Sequence, residues 1–219
     1  MGCNPNDKEG KDDEKPYHRV YLDAYYIDKY PVTNEQYFKF CEETGHEYPS
    51  YLLKGIFSKR PFLPENIRRD PVVNVIWEDA NAYCKWAGKR LPTEAQWEKA
   101  ARGMDGRIYP WGNEWDASKA WFNQQSTCAV GSYPQGASPY GVMDMAGNVW
   151  NWCVDWYDAN YYANSPDRNQ QGPDSGKYRV LRGGSWYFDD PSDLRASDRV
   201  GYPSGTYDDG GFRCVLSVS

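Results

Sequence analysis

The chain has 219 residues, a net charge of −6 and 16% aromatic residues, including 10 Trp and 19 Tyr, with a pI near 5.0. That balance excludes a general binder of nucleic acid or anionic membrane, which needs a basic face. It also excludes a disordered chain, and no apolar run approaches the ~18 residues of a membrane span. The length suits one domain over 1–219 with a sizeable core. A mean hydropathy of −0.89, with 20 Gly and 15 Pro, points to many loops around an aromatic core.

Met1-Gly2-Cys3-Asn4-Pro5 carries no apolar signal stretch. Asn6 stands where a myristoylation pattern wants Ser or Thr. A cell-surface or virion location would have to come from parts outside this sequence. Residues 5–16 are charged and polar and read as a surface loop. Val20 to Ile27 reads as a strand. Three helices follow. The first is capped by Thr33 or Asn34 and stopped by Gly45. The second lies within Trp77–Gly88, with Ala80, Tyr83, Cys84 and Ala87 on one buried stripe. The third opens on a Thr93/Gln96 capping box and closes at Gly103. Beyond Gly103 the pattern is loops, turns and short strands, with turn signals at Pro110-Trp111-Gly112, Gly147-Asn148 and Gly183-Gly184.

Six cysteines (Cys3, Cys41, Cys84, Cys128, Cys153, Cys214) include no CxxC, which argues against a structural zinc or thioredoxin-type centre. Two histidines, His18 and His46, cannot build a three-His metal centre and read as ordinary polar residues. The Trp residues inside motifs read as core rather than as a sugar-stacking platform.

Ordered motifs run along nearly the whole chain: Pro31-Val32-Thr33-Asn34, Ala82 to Glu98, Tyr109-Pro110-Trp111-Gly112, Gly147-Asn148-Val149-Trp150-Asn151-Trp152, Arg182-Gly183-Gly184-Ser185-Trp186 and Gly211-Phe212-Arg213-Cys214. Together they resemble the formylglycine-generating-enzyme (sulfatase-modifying-factor) family. The resemblance implies an irregular α+β, C-type-lectin-like fold with few helices, short strands and many loops. It also implies oxidation of a substrate cysteine by copper on two cysteines placed after the Gly-Gly-Ser-Trp-like motif, where soft thiolates hold Cu(I). Here that segment, Tyr187 to Arg195, contains no Cys. Nucleophile and copper ligands are missing together. A related iron-dependent branch draws its three His largely from an added domain, so neither copper nor iron is expected. The resemblance further implies a Cys84–Cys214 disulfide, with a second bridge lost jointly at Ala101 and Ala196. It implies a Ca²⁺ site of hard oxygens at Asp144, Gly147, Val149 and Asn151, where Asn151 replaces the usual Glu. The alternative at that loop is a metal-free turn in which Asn148 and Asn151 bond the backbone.

The 25 residues from Tyr187 to Gly211 hold six Asp, four Gly, three Tyr and three Ser, and no Lys, Glu, Gln, Met or Trp. Those five types are the ones an Asn codon cannot reach when its two adenines are randomised. The pattern resembles the variable proteins of diversity-generating retroelements, which vary between Gly-Gly-Ser-Trp and Gly-Phe-Arg. The composition is also that of a paratope. The reading is a non-catalytic scaffold whose recognition surface is Tyr187, Phe188, Asp189, Asp190, Ser192, Asp193, Ser197, Asp198, Val200, Gly201, Tyr202, Ser204, Thr206, Tyr207, Asp208 and Asp209. The partner expected is a macromolecule, a protein with a basic patch, with no nucleic acid and no membrane insertion. The alternatives are an ordinary acidic loop, or a family oxidoreductase with altered chemistry.

Overall fold

The computed structural model describes residues 1–52 and 61–218; residues 53–60 and Ser219, which the one-domain reading includes, lie outside the described residues. Thr33 caps helix α1 (Asn34–Thr44): its hydroxyl accepts from Gln36 N, and Gly45 ends the helix with a left-handed φ of 72°. Helix α2 (Trp77–Trp86) buries Ala80, Tyr83 and Cys84, with Ala87 partly buried against the same core. Helix α3 (Glu94–Arg102) starts on the Thr93/Gln96 box and stops at Gly103.

The expected strand over residues 20–27 shrinks to β1 (Tyr25–Ile27). Tyr21 instead exchanges hydrogen bonds with Asp167 and Asn169 as part of a loop. Strand β2 (Trp150–Trp156) anchors a four-stranded sheet with β3 (Arg179–Arg182), β4 (Arg199–Tyr202) and β5 (Gly210–Gly211), in the order β4-β3-β2-β5. Within this sheet β2 and β5 pair parallel, and the β2/β3 and β3/β4 pairings are antiparallel. A separate ribbon pairs β1 antiparallel with β6 (Val215–Ser217).

The larger core cluster gathers Tyr37, Phe40, Tyr83, Leu181, Trp150, Trp152 and Phe212. A second holds Trp97, Met145, Cys153 and Val180 with Ala101 and Ala196. The two alanines at the lost-bridge positions thus share one apolar cluster. Trp97, Trp150, Trp152 and Trp186 are buried as expected, whereas Trp86 is 37% exposed and Trp77 is half-buried. Arg179 accounts for Trp77: its guanidinium lies 3.7 Å from the Trp77 ring centre and 3.4 Å from that of Trp156.

Candidate functional site

Gly183 and Gly184 set the path into the segment of interest. Both have positive φ, and a Cβ on Gly183 would stand 2.8 Å from the Trp97 ring, while one on Gly184 would stand 2.7 Å from Asp193 O. Only glycine fits such a close approach. The chain then turns outward at Tyr187.

Residues 194–199 do not stay at the surface. Arg182, Arg195 and Arg199 are all at most 2% exposed. Arg195 grips Glu14 through two bonds of 2.8 and 2.6 Å and Asp7 at 3.0 Å. Arg199 grips Glu94 at 2.7 and 2.9 Å and stacks over Tyr162. Arg182 bonds Glu98 and the carbonyls of Ala196, Ser197 and Asp198. These are the bidentate, charge-assisted contacts that make buried guanidinium groups tolerable. Burial alone would raise the Glu14 and Glu94 carboxyls; Arg195 and Arg199 overcome it and hold both below the usual range.

The N-terminal segment is therefore misread as a solvated loop. Glu14 is fully buried, Lys11 bonds Asp198 at 2.7 Å and Asp193 at 3.2 Å, and Tyr157 donates to Asp13 at 2.6 Å. Burial pushes the Asp198 carboxyl up to about 6 despite Lys11.

Four residues of the expected recognition set are corrected accordingly. Ser197 and Asp198 are buried, held by the arginine network. Val200 packs against the main core. Gly201 cannot carry a side chain without repacking, because a Cβ would lie 2.4 Å from the Tyr157 ring. Asp193 is tied to Lys11, and Asp209 is half-buried and accepts from Ser185 Oγ at 2.7 Å. Ser192 N caps back onto Asp190 at 2.8 Å.

The residues left outward form two groups on one base. Tyr187 is 67% exposed and Tyr202 is 42% exposed. Phe188 stands edge-on to Trp150, and Tyr207 leans on Trp152, so alternate residues of β2 seat one aromatic from each group. Tyr202 in turn meets Tyr207 edge to face at 5.4 Å. Asp189, Asp190, Ser204, Thr206 and Asp208 are exposed around them. Beside Trp186 and Asp208 opens a cleft of 220 Å³ walled by Asn34, Tyr51, Val73 and Thr127. Thr127 donates to Asp70 at 3.1 Å, and burial raises the Asp70 carboxyl. Sequence reasoning missed this wall, since no motif joins these residues.

The calcium expectation does not fit. Asp144, Gly147, Val149 and Asn151 do lie together around one loop and strand start. Yet Asn151 Oδ1 accepts from Trp97 Nε1 at 3.1 Å and Arg213 Nε at 2.6 Å, and its amide N–H donates to Val149 O at 2.9 Å. Arg213 also donates to Asp144 O at 2.8 Å and Met143 O at 2.9 Å. A buried cation of the protein's own thus takes Asn151 Oδ1 out of the expected oxygen set, the Asp144 carboxylate accepts from Gly131 N at 2.8 Å, and Asn148 closes the turn onto Cys128. Among the described residues no three His, Cys, Asp or Glu side chains converge as a metal site. Cys84 and Cys214 are brought together: their sulfurs lie 2.8 Å apart, deep in the core. Cys3, Cys41, Cys128 and Cys153 are thiols, none exposed.

The sulfatase-modifying factor enzyme 1-like domain model matches residues 1–218. The chain belongs to that family. A formylglycine-generating enzyme of Streptomyces coelicolor is 36% identical over 93% of this chain and 82% of its own length. A "serine/threonine-protein kinase pkn1" of Chlamydia caviae is 41% identical over 96% of this chain. The chain spans only 36% of that kinase's length, so the family domain occurs there inside a longer protein. Among solved structures, PvdO from Pseudomonas aeruginosa superposes with a TM-score of 0.82 at 26% identity, covering 100% of this chain and 90% of that one. Treponema denticola variable protein 1 superposes with a TM-score of 0.74 at 25% identity, covering 99% and 91%. The irregular α+β architecture of this family member is the C-type-lectin-like fold expected from the motifs.

Proposed function

We propose that this chain is a non-catalytic ligand-binding member of the sulfatase-modifying-factor family, displaying a variable recognition surface in the manner of diversity-generating-retroelement variable proteins. The observation that carries the reading is the segment after Gly183-Gly184-Ser185-Trp186. It holds no thiol, and its outward side chains are Tyr, Asp, Ser and Thr on a frame fixed by buried ion pairs. Tyr187, Phe188, Tyr202 and Tyr207 are the apolar anchors, as aromatics are in most interface centres. With Asp193 and Asp198 answered by Lys11 and Arg195, the outward carboxylates are Asp189, Asp190 and Asp208. A protein ligand with a basic patch gains association rate from them. The likeness to Treponema denticola variable protein 1 supports a display role.

Two measurements test this together. Copper-loaded protein is incubated with a Cys-x-Pro-x-Arg peptide, and no aldehyde is expected; formation above background would refute the non-catalytic reading. Copies of the coding segment are then compared between isolates beside a reverse transcriptase and a template repeat. Variation is expected at residues 187–190 and 202–208 and absent from 193–201; variation spread evenly over the segment would defeat the display reading.

A further inference from the structure

A second surface, sharing no residue with the recognition set, lies along β1. In the β1/β6 ribbon the hydrogen-bonded partners fall on even-numbered residues of β1, because Asp28 N donates to Cys214 O and Val218 N donates to Ala24 O, in the register Tyr26↔Leu216. The N–H and C=O groups of Tyr25 and Ile27 therefore face away from β6. Neither residue's backbone has a hydrogen-bond partner among the described residues. That free edge opens onto a groove of 530 Å³ between β1 and the far wall formed by Lys99, Ala100, Tyr140 and Val142. The outer face of the ribbon is apolar and exposed, with Tyr26 68%, Leu216 44% and Val218 48% open. Exposed apolar surface beside an unpaired strand edge is what proteins otherwise avoid.

The charge of the groove selects what enters it. Lys29 and Lys99 line it, and neither forms an ion pair with a carboxylate among the described residues. Asp23, at one end, is already answered by Arg168 at 2.7 Å. We propose that the β1 edge accepts an extended, acidic segment of a protein partner as an added strand. Its backbone pairs with Tyr25 and Ile27, its carboxylates meet Lys29 and Lys99, and its aliphatic side chains lie against the exposed Tyr140 ring. This is strand addition, in which main-chain bonds supply affinity and the flanking side chains supply choice.

The probe is a fluorescein-labelled hexapeptide alternating Val and Glu, followed by fluorescence anisotropy. Saturable binding is expected. Replacing Glu by Lys in the peptide, methylating its backbone nitrogens, or making Lys29→Glu with Lys99→Glu should each weaken binding at least about tenfold. Amide exchange at Tyr25 and Ile27 should slow when the peptide binds. The lysines lie outside the core, so an unchanged melting curve checks that the variant is folded. Failure to saturate, equal binding of the methylated peptide, or protection that spares Tyr25 and Ile27 overturns the proposal.

Discussion

Residues 193–201 and 202–209 share a composition of Asp, Ser, Gly and Tyr or Arg, yet they live in opposite environments. The first stretch is sealed by three arginines against Glu14, Glu94 and Glu98, and its Gly201 is pinned by the Tyr157 ring. The second stretch stands in water with its aromatics seated on Trp152 and on one another. The lesson is that an acidic residue's role here depends on whether a guanidinium reaches it. Asp198 is part of the frame, while Asp208 is free to meet a ligand.

The largest expected break in that comparison is Glu14→Ala. It leaves Arg195 buried with Asp7 and the more distant Asp198, 3.7 Å away, and breaking the bidentate pair of a buried charge costs about 3 kcal/mol, read by urea denaturation. A loss below about 1 kcal/mol would mean that the N-terminal segment does not hold the frame.

The second test uses pH. Burial first and the Glu94 carboxylate second raise Asp155 to about 8, while its carboxyl accepts from Glu94 N at 2.8 Å. The unfolded chain releases this proton near pH ~4. Between those values the native state holds more protons, so stability falls as pH rises, by up to about 1.4 kcal/mol per pH unit. Asp155→Asn should flatten the slope between pH ~5 and ~8. The lowered Glu14 and Glu94 act in the opposite window and lose their contribution only as pH falls below the normal carboxylate range. An unchanged slope in the variant would show that Asp155 ionises normally.

Smaller still is the effect of opening the display side. Tyr187→Ser and Tyr202→Ser should each change stability by about 0.5 kcal/mol or less, as exposed substitutions do. A loss of several kcal/mol would mean that these rings belong to the frame. The smallest expected change is that of calcium. Because Arg213 engages Asn151 Oδ1 and the Asn151 amide engages Val149 O, chelation and readdition should leave the melting curve in place. A rise in melting temperature on adding Ca²⁺ would restore the cation that the motif implied.

Much of the scaffold was legible because it is set locally. Thr33 and Thr93 cap their helices through residues three positions on, Gly45 and Gly103 end them, and the Ala80, Tyr83, Cys84 stripe faces the core. Those are effects of spacing within one turn or two. The motif order was enough to place the chain in its family and to foresee that Cys84 and Cys214 meet.

Tertiary structure alone decided the rest. Nothing within residues 5–16 announces that Glu14 is buried, because its partner Arg195 is 181 residues away. Glu94 and Glu98 look like solvated helix residues until Arg199 and Arg182 arrive from β4 and β3. The Ca²⁺ motif was present in Asp144 and Gly147, but Asn151 donates its amide proton to Val149 O and gives its Oδ1 to Arg213. Sequence fixes propensity, caps and covalent chemistry residue by residue. Whether a charge is buried, paired or free depends on which distant side chain shares its low-dielectric pocket, and only the folded chain brings that partner in.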